Sequence, residues 1–248
     1  MNVVILTVDD PLYLPAFHER VLSARDDVAA VFVVPPLYKR QTPRDAALRY
    51  LTTFGARATL SLVCRVALTR CRRRSIASVA RRHGVLCEPV GDVNAEAFLE
   101  RLRSLEADLI VSVSCPQLFK RPLIELPRRG CLNIHGAILP EYRGVLPSFW
   151  MLANGETRAG VSIFFVDERI DGGELCGQRT FEIQPGESLD ALVRRSKAEA
   201  ADLLLEVLRT IDDGTVTRTA LDLGAGSYYS WPDRAAVRRF RTAGHSVW

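Results

Sequence analysis

Asn133 and His135 stand two residues apart in the segment CLNIH at 131–135. In an extended strand, residues two apart project from the same face, and Ile134 between them turns to the other side. An amide donor beside an imidazole can grip a developing oxyanion and manage a proton. The competing reading is an asparagine that satisfies backbone groups and a structural histidine. The position of the pair, at the end of a buried strand and against a turn-rich loop, favours chemistry. Asp171 follows in the turn IDGGE at 170–174. Gly172 and Gly173 permit positive φ and close backbone approach to a ligand. A carboxylate next to a histidine holds its tautomer and favours the charged ring. On spacing alone, Asp171 reads equally as the aspartate of an Asx turn or an N-cap.

These residues need elements to position them. Apolar runs at 2–8, 28–34, 85–90, 108–114 and 131–135 have the pattern of strands buried on both faces. Helical patterns follow at 11–24 and 94–106, where Phe98, Leu102 and Leu105 share a face. A turn-rich loop then enters a helix that ends at Asn154 and Gly155. The segment 160–168 is a further strand, 177–183 an antiparallel edge strand, and 189–212 a long helix with an apolar stripe. The tail holds a β-like stretch at 215–221 and a last helix starting near Asp233, behind Pro232. Alternating strands and helices predict an α/β fold, Rossmann-like and doubly wound, with a mostly parallel sheet, flanking helices and a short C-terminal appendage. Ligands of such sheets sit beyond the carboxyl ends of the strands, so the loops after the first, fourth and fifth strands are the places for chemistry.

The 248 residues suffice for one domain with an appendage, and a net charge of +4 suits a small anionic ligand better than a nucleic acid. No N-terminal signal pattern and no apolar run of membrane-spanning length stand in the sequence, so a cytoplasmic protein is expected. The six cysteines lack CxxC pairs and nearby histidines, which predicts reduced thiols and no metal. The segment 37–83 reads as one or two helices rich in arginine, with Arg70, Arg72, Arg73 and Arg74 in one run. Those arginines can touch phosphates, but such a run is more often a solvated helix face. The apolar face and basic end of 58–74 would suit a membrane surface. Packing on the domain, or on a second copy in a homodimer, is the favoured reading.

Between about 84 and 183 the chain resembles the folate-dependent formyltransferases, a family that includes glycinamide ribonucleotide, methionyl-tRNA and sugar-nucleotide N-formyltransferases. The resemblance rests on GCLNIHGAILPEYRG at 130–144, NGE at 154–156 and GVSIFFVDERIDGGE at 160–174. It is weak over 37–83 and after about residue 212. It implies a formyltransferase fold over 1–214, with 37–83 a basic helical insert and 215–248 an extension. It implies formyl transfer from 10-formyltetrahydrofolate to an amine, with Asn133, His135 and Asp171 as the catalytic set and no metal. The donor's pteridine would lie between the loop at 116–119, with Gln117, Leu118 and Phe119, and the loop at 167–171, with Asp167, Ile170 and Asp171. Asn133 would hold its formyl oxygen.

The loop after the first strand, with Asp9 and Asp10, would face the acceptor, together with Arg143. Two carboxylates and Pro11 make a poor phosphate cradle, which argues against glycinamide ribonucleotide. A helix cap is the other role open to one of those aspartates. The short tail lacks room for the C-terminal β-barrel of the methionyl-tRNA enzymes, and the chain opens without the extra N-terminal domain of the deformylases. A nucleotide-linked amino sugar or a natural-product amine remains as the expected acceptor. Tyr228, Tyr229 and Trp231 of the tail are either stacking surfaces or core anchors. A non-catalytic folate or nucleotide sensor is the reading from another class.

Overall fold

The computed structural model describes residues 1–35, 42–71 and 75–248. Arg72, Arg73 and Arg74 lie outside the described residues, as does the start of the 37–83 insert. The strands β1 (Val3–Val8), β2 (Val28–Val34), β3 (Leu86–Pro89), β4 (Leu109–Val113) and β5 (Cys131–His135) pair in parallel. β6 (Arg143–Gly144) stands outside that sheet, and β7 (Arg158–Phe165) and β8 (Leu175–Glu182) close it as antiparallel strands. The seven-stranded order is β3-β2-β1-β4-β5-β7-β8. It reverses direction at β1, so the carboxyl ends of β1 and β4 open a crevice at the switch point.

Strand alternation sends apolar side chains to both faces. Val3 and Ile5 pack with Leu109, Val111, Leu132 and Val161 on one face. There they meet α1 (Leu14–Ala24) and the long α8 (Leu189–Asp212), whose stripe Leu192, Ala200, Leu204, Leu208 and Ile211 is buried. Val4, Leu6, Phe32 and Ile110 face the other way, against Phe98, Leu99 and Leu102 of α5 (Glu96–Ser104). The Ser188 side chain caps α8 by accepting the Ala191 amide at 3.2 Å.

The insert forms α2 (Pro43–Phe54), α3 (Ala56–Cys71) and α4 (Ile76–Arg82), three helices where the pattern predicts one or two. Gly55, at φ +89, breaks the first from the second. α6 (Arg121–Ile124) is a single turn. α7 (Pro147–Ala153) is buried from Ser148 to Ala153. A third core gathers α7, Phe54 of α2 and α9 (Arg234–Thr242), where Phe149 stacks on Phe240 at 5.0 Å. Asp233 caps α9 through the Ala236 amide at 2.7 Å. The expected β-like stretch at 215–221 reduces to one bridge, Leu175 with Thr219, because the edge beside β8 is held at that point alone. Two residues further along the tail, β9 (Tyr228–Tyr229), pair in parallel with β6.

Candidate functional site

Asn133 and His135 end β5, paired with Phe164 and Ser162 of β7. The Asn133 amide takes no hydrogen-bond partner among the described residues and opens into a cavity of about 570 Å³. His135 is buried, with Nε2 2.8 Å from the Tyr142 carbonyl. A carbonyl only accepts, so Nε2 carries a hydrogen. Nδ1 lies 3.8 Å from Asp171 Oδ2. That is too long for a hydrogen bond and leaves Nδ1 free to serve a ligand.

Asp171 is held from the other side. Its Oδ2 accepts the Gly144 amide at 2.9 Å, and its own backbone sits at φ +47. A non-glycine residue in that region is sparsely populated and persists where surroundings impose it. Positive φ falls on Asp171, whereas the sequence pattern predicts it for Gly172 and Gly173. Those glycines serve close approach instead. A Cβ on Gly173 would lie 1.7 Å from the Phe165 carbonyl oxygen, and one on Gly172 would meet Arg169 and Leu223.

The loop after β5 therefore anchors both polar partners through backbone groups. The Tyr142 carbonyl fixes His135 and the Gly144 amide fixes Asp171. That loop is pinned by the tail: Arg143 pairs with Tyr228 and Gly144 with Tyr229. The Tyr229 ring stacks on Tyr142 at 5.2 Å and on Trp150 at 4.6 Å. Side-chain patterns could not reveal these contacts, because the working atoms on the loop belong to the backbone.

A second hollow of about 110 Å³ shares Cys115, Asn133 and Asp171 with the first. The loops at 116–119 and 167–171 border it together, including Gln117, Leu118, Phe119, Asp167 and Ile170. Leu118 and Ile170 are exposed on its two lips. The Gln117 side chain is committed to the backbone, accepting from Val93 and donating to Gly91. Asp167 binds Arg169 within its own loop. Of the expected acceptor-side residues, Asp10 lines the large cavity, while Arg143 lines neither hollow and Asp9 faces Arg70 outside both. Asp10 also caps its own turn, accepting from Leu12 at 2.8 Å. Burial pushes its carboxyl above the ordinary range, against the lowering effect of that bond.

Lys197, absent from the sequence expectations, enters the large cavity from α8. Its Nζ donates to Ser114 Oγ at 2.8 Å, and Ser114 sits at φ +57 just after β4. Burial lowers the Lys197 pKa, and Asp10 opposes that shift. A signal existed: Ser196 and Lys197 interrupt an otherwise apolar helix stripe. Among the described residues no cluster of histidine, cysteine and acidic side chains could hold a metal, and no helix is long and apolar enough to cross a membrane.

Beside the ends of β4 and β5 the sheet thus carries an amide without a partner among the described residues, a buried imidazole and a carboxylate. The profile of the formyl transferase family matches residues 1–208, and the chain belongs to that family. A methionyl-tRNA formyltransferase of Trichlorobacter lovleyi is 33% identical over 153 residues, covering 62% of this chain and 48% of its own length. The chain thus spans about half the length of the curated relatives it matches. Among solved structures, glycinamide ribonucleotide transformylase 1 of Symbiobacterium toebii superposes with a TM-score of 0.61 at 18% identity, covering 90% of this chain and 95% of that one. An N-formyltransferase of Helicobacter canadensis, in complex with folinic acid and dTDP-3-aminofucose, does so at 0.62 and 16%, covering 98% of this chain and 80% of that one. At these identities the two structures establish the fold.

Proposed function

We propose that this protein is an N-formyltransferase that moves the formyl group of 10-formyltetrahydrofolate to the amine of a small molecule. The observation that carries the reading is the free Asn133 amide beside His135, with Asp171 beside the ring's Nδ1, at the wall shared by two hollows. The donor fits the smaller hollow, whose two bordering loops and exposed Leu118 and Ile170 offer backbone and apolar surface to a flat ring. The folinic acid named with the Helicobacter canadensis structure supports the same ligand class. The acceptor fits the larger cavity.

The donor supplies an activated formyl carbon, which the amine attacks, and the bond from that carbon to the folate nitrogen breaks as tetrahydrofolate leaves. The Asn133 amide and the His135 Nδ1–H hold the negative charge that builds on the formyl oxygen. The Nε2 bond to Tyr142 keeps the ring in place, so Nδ1 is the nitrogen that works. Asp171 attracts the imidazolium and accepts the proton shed by the amine, and that proton passes to the folate nitrogen as its bond to the carbon breaks.

The test is amine-dependent tetrahydrofolate release from 10-formyltetrahydrofolate, with formylated product followed by mass. Release that requires an amine supports the transferase. Release without amine would replace this reading with hydrolysis, and binding without release would replace it with a sensor.

A further inference from the structure

We infer that the acceptor is a primary amine carried on an apolar aromatic or aliphatic body without phosphate; the inference rests on the transferase reading above. Two branches of acceptor, a nucleotide-linked amino sugar and a less polar amine, demand opposite linings. A nucleotide diphosphate requires cations or a row of free backbone amides. An apolar body requires aromatic and aliphatic walls, with polar groups only at the reacting end.

The large cavity has the second design. Its outer wall is made by Tyr50, Phe54 and Leu62 from the insert helices and by Trp231, Val247 and Trp248 from the tail. The tail lies beyond the residues that the family profile matches, and the insert lies within them. They are locked together, since Trp231 Nε1 donates to Thr53 at 2.9 Å and Trp248 Nε1 donates to the Ala58 carbonyl at 3.2 Å. The indole N–H groups are therefore spent on the wall itself, and the rings remain as apolar surface.

Charged groups of the lining gather at the carboxyl ends of β1 and β4 and beside His135. Among the described residues, Lys197 is the one lysine or arginine of the lining, and it faces Asp10 and Ser114. Asp10 and Asp171 are carboxylates. Among the described residues the lining thus offers a diphosphate one ammonium and no guanidinium fork, while its two carboxylates can accept from an amine. Arg49 and Arg65 of the insert are engaged outside the lining: Arg49 lies over the Trp231 ring at 4.5 Å, and Arg65 lies over Trp248 at 4.6 Å and pairs with Asp190. An amine would thus enter with its nitrogen toward Asn133 and His135 and its body against the tail and insert.

The experiment is direct binding by calorimetry to the whole protein with the donor site filled by 5-formyltetrahydrofolate. The probes are tryptamine, 3-phenylpropylamine, n-octylamine and a dTDP-linked amino sugar. The expected result is that at least one apolar amine binds about tenfold or more tighter than the nucleotide sugar. Leu62→Gln and Val193→Gln, on half-buried positions of the cavity lining in two different helices, should each weaken that amine by about tenfold or more, with helical content unchanged by circular dichroism. Binding of the nucleotide sugar as tightly as the best amine, binding of no apolar amine, or indifference of both variants overturns the inference. Because binding is read without turnover, a protein that binds the amine and never formylates it would refute the transferase reading and leave this pocket assignment standing.

Discussion

At the scale of single residues, the polar set divides into one free group and two fixed ones. Asn133 is free to bind, while His135 and Asp171 are each tied to a backbone group of one loop. Asp171→Asn keeps an acceptor for the Gly144 amide and suits φ +47, since asparagine tolerates that region. It removes only the charge beside Nδ1. We expect kcat to fall by about 10²-fold or more, with donor affinity within about twofold of the parent; unchanged kcat would remove Asp171 from the mechanism. A second residue-scale prediction concerns stability. His18 is buried in α1 with Nδ1 2.9 Å from the Leu14 carbonyl and Nε2 unpartnered. Burial pushes its pKa down to about 4. An unfolded histidine titrates near 6.5, so between about pH 6.5 and 4 the unfolded chain binds the extra proton. The stabilisation is complete above that window and is lost as pH falls through it, by up to about 3 kcal/mol. Urea midpoints should drop across the window in the parent and drop less in His18→Leu; parallel curves would contradict this.

At the scale of elements, β6 and β9 set the geometry of the site. Gly144 sits at φ +96, and a Cβ there would lie 2.2 Å from the Tyr229 carbonyl oxygen. Gly144→Ala must open the two-strand pair and release the loop that holds both His135 and Asp171. A displacement of about 1 Å costs on the order of 10²-fold in rate, so turnover should collapse while the seven-stranded sheet keeps its cooperative melt. Retained turnover would show that the tail does not position the site. The strands and their ends were legible in the sequence: CLNIH forms β5 with the expected bounds, and the long helix runs from Leu189 to Asp212. Unbroken apolar runs and a Ser188 cap leave little choice there. The β6–β9 pair was not legible, because two residues carry no periodicity and their partner lies 85 positions away, as the Tyr142–Ser227 bond shows. The break between α2 and α3 depended on one glycine conformation. Lys197 was hidden because a helix stripe does not tell which cavity its polar gap will face.

At the scale of the whole molecule, the tail belongs to the core as well as to the site. Phe240 is 1% exposed, stacks on Phe149 and seals the third core under the cavity. Phe240→Ala should cost about 3–5 kcal/mol, read as a lower melting temperature and as a weaker acceptor KM before kcat changes. A mutant as stable as the parent would mean that α9 is an accessory. The sheet and the loops after β4, β5 and β7 bring the reacting groups together, and the insert and tail supply the far wall.

The most direct test of the central claim is transfer of a carbonyl-labelled formyl group from 10-formyltetrahydrofolate to an amine under single-turnover conditions, in the parent and in Asn133→Ala and His135→Ala. The account predicts label on the amine nitrogen in the parent. It predicts transfer slowed by about 10²–10⁴-fold in either variant, with bound donor still detected. Label transferred at the parent rate by both variants, or label appearing only as free formate in the parent, would contradict it.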